Sequence, residues 1–381
     1  MKEHLYKTWI EINQKAVANN IRSFRSILAK KTKLFAVVKS NAYGHGLELF
    51  SKIASERGVD GFCVDSVIEG HKLRNLGLRE PILVLGPTLP HLFEEAAADR
   101  LTLTISNLDA LTVLKKSHVA VDYHLKIDTG MHRQGFYLDD LVKVLKVISH
   151  QSSDIGECLR GIYTHFASAK DITYPNYTLW QIKKFKEAKE IFRKAGYKNL
   201  IAHTSATGGA LLYPQAHFDL VRIGIGLYGY FPTKETALEH SLVLRRKLNL
   251  EHVLSWRALV SEVKNLVAGD YIGYDLTEET RTKTKSGIIP IGYWHGFPRS
   301  LSSRGEVLVK GKRAKVLGRV SMDLIVVDLS NRSKVKVGDI ATLIGRDGKE
   351  KISANDFGYD AHTISYEIIT RLNPMIKRFV V

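Results

Sequence analysis

The sequence predicts an α/β protein with an N-terminal (β/α)8 barrel of the TIM type and a C-terminal, mostly β domain. Three observations support this. Eight short apolar runs alternate with helix-like stretches over about 200 residues, close to the size of such a barrel. After residue 235 the pattern changes to strands separated by glycine turns. The chain has 381 residues, more than one ordinary hydrophobic core accommodates.

The predicted barrel strands are KLFAVVK, GFCVDS, PILVLG, LTLTIS, DYHLKID, LRGIYTHF, NLIAHTS and VRIGIGLYG. Apolar runs of this length are typical of parallel strands buried on both faces. Between them, LELFSKIASERG, SVIEGHKLRNLG and DDLVKVLKVISH suit helices. A doubly wound sheet is the alternative, but no GxGxxG motif follows the first strand, which counts against a dinucleotide site.

The C-terminal strands are predicted in LSWRALVSEVKNLVAGD, SGIIPIGYWHG, GEVLVKGKRAKVLGRVSMDLIVVDLS and KVKVGDIATLIGRDGKE. A short helix is expected near ISYEIITRL. We therefore expect a barrel domain at 8–235 and a β domain at 236–381, with residues 1–10 packing against the β domain.

Charge and composition bear on the possible partners. The formal net charge is +17, but the basic residues are dispersed, as in QIKKFKEAKEIFRKAGYK, which has the spacing of an amphipathic helix with a solvated face. We therefore expect no nucleic-acid partner. No apolar run approaches the ~20 residues that span a bilayer, so no membrane partner is expected.

The cysteines and the N-terminus predict a cytoplasmic location. Cys63 and Cys158 form no CxxC pair, which argues against a disulfide framework and against a structural zinc site, and we expect no metal. The N-terminal MKEHLYKTWIEINQ lacks the apolar core of a signal peptide.

Lys39 directly follows the apolar run 34–38. Residues just beyond the carboxyl end of a barrel strand face the site region of this fold. A lone lysine at a strand end is most often a solvated residue. The alternative is an amine held in a partly apolar pocket, where it forms a Schiff base.

Other polar residues also stand at the ends of predicted strands. HLKIDTGMHRQG carries Lys126 and Arg133, YTHFASAKD carries His165, HTSATGG carries Thr207, and VRIGIGLYG carries Arg222. Each has a structural explanation when taken alone; a lone histidine, for example, is more often a hydrogen-bonded core residue than a catalyst. Their common position at strand ends favours a functional role.

Five segments resemble, in order, the motifs of the alanine racemase family: AVVKSNAYGHG, HLKIDTGMHRQGF, GIYTHFASA, VRIGIGLYG and LGRVSMDLIVVD. The resemblance covers nearly the whole chain. It implies a pyridoxal 5'-phosphate (PLP) enzyme with an N-terminal barrel, a C-terminal β domain and a head-to-tail homodimer with composite active sites.

The same resemblance implies roles for individual residues. Lys39 holds PLP and is one of two catalytic bases. Tyr274, from the β domain of the other subunit, is the second base. His165 hydrogen-bonds it and is also one of the implied cofactor-binding residues. Arg133 and the backbone N–H of Met322 contact the substrate carboxylate.

The remaining implied contacts concern the cofactor and its surroundings. Phosphate contacts are implied for four residues, namely Tyr43, Thr207, Gly224 and Ile225. Asp323 belongs to the Met322 motif, and Lys126 matches a lysine that is carbamylated in some members. A carbamate there would turn a cation into an anion able to position Arg133.

Arg222 matches the residue that faces the PLP ring nitrogen. A guanidinium stays protonated and can only donate hydrogen bonds, so the ring nitrogen stays unprotonated and the ring is a weaker electron sink. This limits transamination and decarboxylation, and related decarboxylases use a carboxylate there instead.

The resemblance thus predicts interconversion of L- and D-alanine by two-base transfer of the α-proton, supplying D-alanine for peptidoglycan. A serine or broad-specificity amino-acid racemase of the same family is an alternative, and a PLP-dependent amino-acid decarboxylase is a more distant one. A non-enzymatic PLP carrier should lack the β domain and Tyr274, and a nucleic-acid-binding protein should show a basic stripe.

The chain departs from the family pattern at several positions. Ala206-Thr207 replaces the usual Asn-Ser, which predicts rearranged phosphate contacts. His295 in GYWHG and Lys170 stand where acidic residues are common, which predicts a more cationic entry corridor. Asn373-Pro374 replaces a tyrosine that narrows the inner gate in some relatives, and this keeps the serine alternative open.

Overall fold

The structure is a computed structural model that describes residues 6–149, 154–171, 173–244, 248–330 and 334–381. The chain forms two compact units. The β unit comprises Met1–Gln14, Asn41–Gly46 and His252–Val381, and the barrel unit comprises Lys15–Ser40 and Leu47–Glu251. Residues 1–5 of the predicted N-terminal segment, and His150 at the end of a predicted helix, lie outside the described residues.

The first strand, β1 (Thr8–Ile12), belongs to the β unit. The eight strands of the barrel unit follow it in the chain: β2 (Lys33–Val37), β3 (Gly61–Val64), β4 (Ile82–Val84), β5 (Leu101–Ile105), β6 (Tyr123–Lys126), β7 (Leu159–Tyr163), β8 (Ile201–His203) and β9 (Leu220–Ile223). They pair in parallel in the order β8-β7-β6-β5-β4-β3-β2-β9.

Backbone hydrogen bonds also join the two ends of this sheet. The Asp219 N–H donates to the Ala202 carbonyl at 3.0 Å, and the Arg222 N–H donates to the Ser205 carbonyl at 2.9 Å. These bonds connect β9 to β8 and close the barrel. The predicted fold class and all eight predicted barrel strands are therefore confirmed, and the doubly wound alternative is wrong because an open sheet would leave these edges apart.

Helices alternate with the barrel strands: α1 (Gln14–Ile27), α2 (Lys39–Tyr43), α3 (Leu47–Glu56), α4 (Val67–Asn75), α5 (Phe93–Ala98), α6 (Leu108–Ser117), α7 (Leu141–Ile148), α8 (Pro175–Lys194), α9 (Thr207–Leu212) and α10 (Lys234–Leu244). Local sequence explains where several of these helices begin. Ser66 and Asn107 cap α4 and α6 through their side-chain oxygens, and α8 begins with a proline.

The turn α2 differs from the other helices because it is left-handed. Four consecutive non-glycine residues, Ser40 to Tyr43, have φ between 51° and 56°. L-residues pay about 1–2 kcal/mol each in this conformation, so surrounding contacts must hold it. The turn directly follows strand β2 and begins at Lys39.

The β unit contains, after β1, the strands β10 (Leu254–Leu259), β11 (Glu262–Leu266), β12 (Tyr271–Ile272), β13 (Glu278–Glu279), β14 (Thr284–Ile289), β15 (Glu306–Val309), β16 (Lys312–Leu317), β17 (Ile325–Asp328), β18 (Ile340–Asp347), β19 (Glu350–Ile352) and β20 (Lys377–Val380). Ten of these form one sheet, in the order β11-β14-β17-β16-β15-β18-β10-β1-β20, with β19 beside β18. The β12–β13 hairpin is separate, and the unit also contains α11 (Ala354–Asp360) and α12 (Ser365–Thr370).

The boundaries of the two units differ from the expected domain boundaries of 8–235 and 236–381. Strand β1 pairs antiparallel with β10 and parallel with β20, so it belongs to the β sheet. Helix α10 groups with the barrel unit, where the buried His240 ring contacts the Leu211 carbonyl at 3.1 Å and the Thr236 hydroxyl donates to the Lys170 carbonyl at 3.4 Å. Among the helices of the described residues, none combines the length and apolar character needed to cross a membrane.

Candidate active site

Lys39 lies beyond the carboxyl end of β2, and Val38 is the one residue between them. Its Nζ atom is 3.0 Å from Oδ1 of Asp65, the residue that follows β3. The two side chains are 36% and 54% exposed, respectively. A ligand at this end of the barrel can therefore reach the Lys39 amine.

Arg222, on β9, is buried in the barrel unit, with 2% exposure. It donates to the Thr164 carbonyl at 2.9 Å and to the Thr204 carbonyl at 3.0 Å. A further N–H contacts the ring of His203. In the described part of the chain no carboxylate forms an ion pair with Arg222, so neutral acceptors alone hold its guanidinium. Burial lowers the pKa of Arg222, but a guanidinium remains a pure donor in proteins.

The donor character of Arg222 determines the tautomers of two buried histidines. Since Arg222 donates to Nδ1 of His203, this nitrogen is an acceptor and the proton of the neutral ring sits on Nε2. His203 Nε2 lies 2.8 Å from Nδ1 of His124, which must then accept. Burial lowers the pKa of His124 to about 3 and that of His203 well below its usual range, in agreement with two neutral rings.

The ring of Tyr163, the last residue of β7, lies close to two cationic side chains, Arg222 and Lys126. Its ring centroid is 5.0 Å from Arg222 Cζ and 5.7 Å from Lys126 Nζ, within the range of cation–π attraction. The ring stacks on His203, and its hydroxyl bonds the Thr104 hydroxyl at 3.0 Å. Burial raises the pKa of Tyr163 to about 12, so it stays a neutral phenol.

Lys126 is the last residue of β6 and only 5% exposed. Its Nζ donates to Gln134 Oε1 at 2.9 Å. Burial, followed by repulsion from Arg133 and Arg222, lowers the pKa of Lys126 to about 8. A part of this amine is therefore neutral near physiological pH.

The loop that carries Arg133 is held by the Asp128 side chain and by a backbone hydrogen bond. Asp128 Oδ1 accepts the N–H groups of Gly130 at 2.9 Å and His132 at 3.0 Å. The Phe136 N–H returns to the Lys126 carbonyl at 2.9 Å. These bonds keep Arg133, whose side chain is exposed, close enough for its charge to act on Lys126.

His165, two residues beyond β7, is a neutral ring. Its Nδ1 lies 3.4 Å from a guanidinium nitrogen of Arg222. Burial, and then repulsion from Arg222, lowers the pKa of His165 well below its usual range. The hydrogen bond predicted between His165 and Tyr274 stays a prediction.

A compact glycine turn follows β9 next to the start of α9. The Leu227 N–H donates to the Gly224 carbonyl at 2.9 Å, and the Gly226 N–H to the Thr207 hydroxyl at 3.3 Å. A Cβ atom at Gly226 would lie 2.4 Å from the Phe24 ring of α1, so only glycine fits this approach. The predicted phosphate contacts Thr207, Gly224 and Ile225 are thus neighbours in the barrel unit.

The other predicted residues belong to the β unit. Tyr274 is 68% exposed and lies in a tight turn after Gly273, with Asp275 and Leu276 at positive φ. An ion pair of 2.6 Å between Asp275 Oδ2 and Arg319 Nε holds this turn. Tyr43 packs its ring 6.1 Å from that of Tyr366.

Met322 and Asp323 follow strand β16 in the same unit. The Met322 side chain is 56% exposed, and its carbonyl accepts the Trp294 N–H at 3.0 Å. Asp323 Oδ1 lies 3.7 Å from Nδ1 of His295. That nitrogen accepts the Gly292 N–H at 3.2 Å, and burial lowers the pKa of His295, so its ring is neutral. His295 stands where acidic residues are common in the family, which predicted an added positive charge. That charge is not present at neutral pH.

The remaining departures also have a place in the fold. Ala206 precedes α9 without a side-chain cap, and Lys170 is exposed. Asn373 is buried: its amide donates to the Trp294 carbonyl at 3.0 Å, and its Oδ1 accepts the Met375 N–H at 2.8 Å.

Sequence reasoning missed three side chains that contact predicted site residues or the histidine bonded to Arg222. They are Asp65 at Lys39, Tyr163 beneath Arg222, and His124 behind His203. Asp65 and Tyr163 occupy the strand-end positions that drew attention to Lys39 and His165, so the same rule could have found them. The contact of His124 depends on a ring from another strand and has no local signal.

Comparison with known proteins assigns both parts of the chain to one family. Residues 12–232 match the model of the alanine racemase N-terminal domain, and residues 253–380 match that of the alanine racemase C-terminal domain. An alanine racemase of Leptospira interrogans serogroup Icterohaemorrhagiae serovar Lai is 39% identical over 99% of this chain and 96% of its own length. One from Methanococcus maripaludis is 36% identical over 97% of each chain.

Solved structures of similar fold agree. The crystal structure of alanine racemase from Bacillus anthracis with bound L-Ala-P superposes with a TM-score of 0.89 at 33% identity, covering 98% of this chain and 95% of that one. Alanine racemase from E. faecalis gives a TM-score of 0.89 at 30% identity, covering 99% of each chain. The resemblance predicted from the motifs is confirmed, and the chain belongs to the alanine racemase family.

Proposed function

We propose that this chain is an alanine racemase that interconverts L- and D-alanine with PLP as its cofactor. Similarity to alanine racemases over nearly the full length supports the activity. The main structural support for racemase chemistry is the buried Arg222. Neutral acceptors hold its guanidinium, and no carboxylate among the described residues forms an ion pair with it.

The residues at the barrel strand ends fit PLP. Lys39 offers a reachable amine for the aldehyde group. Arg222 offers a buried donor of the kind that leaves a ring nitrogen unprotonated. The Thr207 hydroxyl and the Gly224–Gly226 turn offer the compact, polar surroundings that phosphate groups take in proteins. When bound, PLP supplies the electron sink that weakens the bond between the α-carbon and its proton.

The chain itself must move the proton. We assign this task to Lys39 Nζ on one face of the substrate and to the Tyr274 hydroxyl on the other. Two such atoms on opposite faces racemise the substrate directly, because a base fixed on one face returns the proton to the face from which it came. Tyrosine has a reference pKa of about 10 and needs a partner to act as a base, for which we propose His165.

The second base, in this proposal, comes from another subunit of a homodimer. Tyr274 and Met322 are large side chains that are mostly exposed on the β unit. Exposed aromatic and methionine side chains are enriched at protein interfaces. We propose that Tyr274, Met322 and Asp323 complete the site of the partner subunit, and that Arg133 and the Met322 N–H bind the substrate carboxylate. Tyr43 is proposed as a further phosphate contact.

A decarboxylase remains the more distant alternative, and Arg222 separates the two reactions. Decarboxylation is favoured by a strong electron sink. Such a sink requires a carboxylate that accepts a hydrogen bond from the protonated ring nitrogen. Arg222 cannot take this role because it has no proton acceptor function.

A serine or broad-specificity racemase is the closer alternative. It is favoured by Asn373, whose amide is bonded to backbone atoms at the position where some relatives have a tyrosine. The test is to incubate PLP-loaded protein with L-alanine and with L-serine separately and to separate the products by chirality. D-alanine formed faster than D-serine supports the proposal, and CO2 release without D-amino acid contradicts it.

Supply of D-alanine for peptidoglycan follows from the product of the reaction. A cytoplasmic location is inferred from the sparse cysteines.

A further inference from the structure

Gln181 occupies a position where the pattern of its helix favours an apolar residue. Helix α8 buries one face along its length, through Thr178, Ile182, Phe185, Ala188 and Phe192. Gln181 lies on this face and is 0% exposed. Burying a primary amide costs free energy unless its oxygen and its N–H groups find partners. The partners of Gln181 therefore indicate what this side chain does.

The amide of Gln181 bonds the loops that follow β6 and β7. Its Oε1 accepts the Ala167 N–H at 2.9 Å, and its Nε2 donates to the His165 carbonyl at 3.4 Å and to the Thr129 hydroxyl at 3.2 Å. A backbone N–H can only donate and a carbonyl can only accept, so the opposite orientation of the amide would lose both backbone bonds. Gln181 thus grips the backbone of the segment that carries His165.

Thr129 extends this contact within the loop that also carries Arg133. Its oxygen accepts from Gln181, so its own O–H can donate to the Thr164 hydroxyl, whose oxygen lies 2.8 Å away. The Thr164 carbonyl in turn accepts an N–H of Arg222 at 2.9 Å. One buried amide therefore connects the loops after β6 and β7 in the immediate surroundings of Arg222.

A second side chain of α8 contacts the loop after β6 one turn earlier. The Tyr177 hydroxyl donates to the Gly130 carbonyl at 2.6 Å. Gly130 has a φ of 129°, and a Cβ atom there would lie 2.7 Å from the Tyr177 hydroxyl and from the Trp180 ring. Tyr177 is 41% exposed, whereas Gln181 is buried and reaches both loops. Gln181 is therefore the contact that water cannot easily replace.

We propose that Gln181 is a positioning residue that holds His165 and Arg133 in a fixed relation at the carboxyl ends of the barrel strands. The inference rests on the proposed function, in which His165 supports the second base and Arg133 binds the substrate carboxylate. Gln181 acts through the backbone of residues 165–167 and through the Thr129 hydroxyl, not on the reacting atoms. Hydrogen bonds suit this task because they fix direction as well as distance.

The first measurement uses the cofactor-free, full-length chain and does not depend on activity. Hydrogen–deuterium exchange read by mass spectrometry follows the Ala167 N–H, whose acceptor is Gln181 Oε1. Gln181→Met keeps the length of the side chain but removes its acceptor and donors. A buried N–H left without a partner should exchange about 5- to 150-fold faster. Gln181→Glu keeps an oxygen at the same place and should retain most of the protection.

A second variant separates the two loops. Thr129→Val keeps the shape of the side chain and removes the hydroxyl that joins Gln181 to Thr164. In the PLP-loaded protein it should raise the KM for L-alanine about 2- to 12-fold, because the loop that carries Arg133 loses a buried hydrogen bond. The Ala167 N–H should stay protected in this variant, since its acceptor is intact.

Gln181→Met releases both loops and should therefore change both kinetic constants. The KM for L-alanine should rise as in Thr129→Val. In addition, kcat should fall by up to about 100-fold, because displacing a group at the site by about 1 Å is enough for such a loss, and His165 would no longer be held. Gln181→Glu should recover a large part of kcat.

Phe185→Leu is the matched control. Phe185 lies one turn after Gln181 on the same face of α8, is equally buried and packs against Phe218 with 5.3 Å between ring centroids. Its replacement loosens the helix without removing a hydrogen bond to either loop. The midpoint of thermal unfolding should fall, whereas Ala167 exchange and both kinetic constants should stay at their wild-type values. Circular dichroism confirms that each variant folds.

Wild-type Ala167 exchange in folded Gln181→Met would overturn the proposal, and so would fast exchange combined with unchanged kcat and KM. The same conclusion follows if Phe185→Leu changes exchange and kinetics as much as Gln181→Met does. A wild-type protein that forms no D-amino acid when loaded with PLP would instead contradict the proposed function, and the exchange data would still decide whether Gln181 holds residues 165–167.

Discussion

Lys126 should react reversibly with carbon dioxide, and its environment allows the extent to be worked out. A carbamate forms only on a neutral amine. With a pKa lowered to about 8, roughly a quarter of Lys126 is neutral at pH 7.5, whereas about one in a thousand molecules of a lysine at the ordinary value of 10.5 is neutral. The neutral amine is therefore about 200-fold more abundant at Lys126.

The site should also stabilise the product. The carbamate carries a negative charge, and the cations whose repulsion lowers the pKa of the free amine, Arg133 and Arg222, would attract it. Carbon dioxide is a small molecule, which suits a side chain that is only 5% exposed. Selective carbamylation of Lys126 is the expected outcome.

The assay is carbon NMR of the PLP-loaded protein equilibrated with 13C-labelled bicarbonate. A carbamate signal should appear in the wild type, disappear in Lys126→Gln, and increase as the pH rises through about 8 at constant dissolved carbon dioxide. Arg133→Gln should weaken the signal, because removing the neighbouring cation raises the pKa of Lys126 and removes the partner of the carbamate. A signal that survives in Lys126→Gln, or a Lys126 that stays unmodified at pH 8.5, would refute this reasoning.

Three further outcomes test the site assignments. Borohydride reduction of the PLP-loaded protein should attach the cofactor to the Lys39 peptide, and attachment elsewhere contradicts that assignment. Arg222→Glu places an acid where a pure donor stands, so racemisation should fall and transamination, measured as pyruvate formation, should rise; unchanged ratios would show that Arg222 does not face the ring nitrogen. Lys39→Ala and Tyr274→Phe should each be inactive. After the two variants are dissociated and mixed, about half of the dimers contain one chain of each, and such a dimer has one intact site of two. Roughly a quarter of wild-type activity should therefore return. Verified mixed dimers without activity would place Tyr274 outside the partner's site.

The sequence alone determined the barrel and much of its strand-end chemistry. Parallel strands buried on both faces appear as continuous apolar runs, so their ends are visible in the sequence. Side chains at these ends meet in any such barrel, which is why Lys39, Lys126, His165 and Arg222 could be named before their positions were known. Their individual roles came from the family motifs, since strand position does not distinguish a cofactor lysine from a solvated one.

Other features depended on contacts between residues that are distant in the chain. The sequence predicts that residues 1–10 pack against the β domain, but the pairing of strand β1 with β10 and β20 comes only from the folded chain. The left-handed turn after Lys39 has no glycine to announce it at Ser40 to Tyr43, because bonds such as that from Ser40 to Glu69 hold it.

Protonation was likewise decided by the tertiary structure. The sequence shows two histidines and an arginine on three strands, but the tautomers of His124 and His203 follow from the fact that Arg222 can only donate. The same holds for His295, which looks like an added cation in the sequence and is neutral because it is buried and accepts a backbone N–H. Local pattern determines where a side chain stands along the strand, whereas its charge depends on burial and on neighbours that only the folded chain brings into contact.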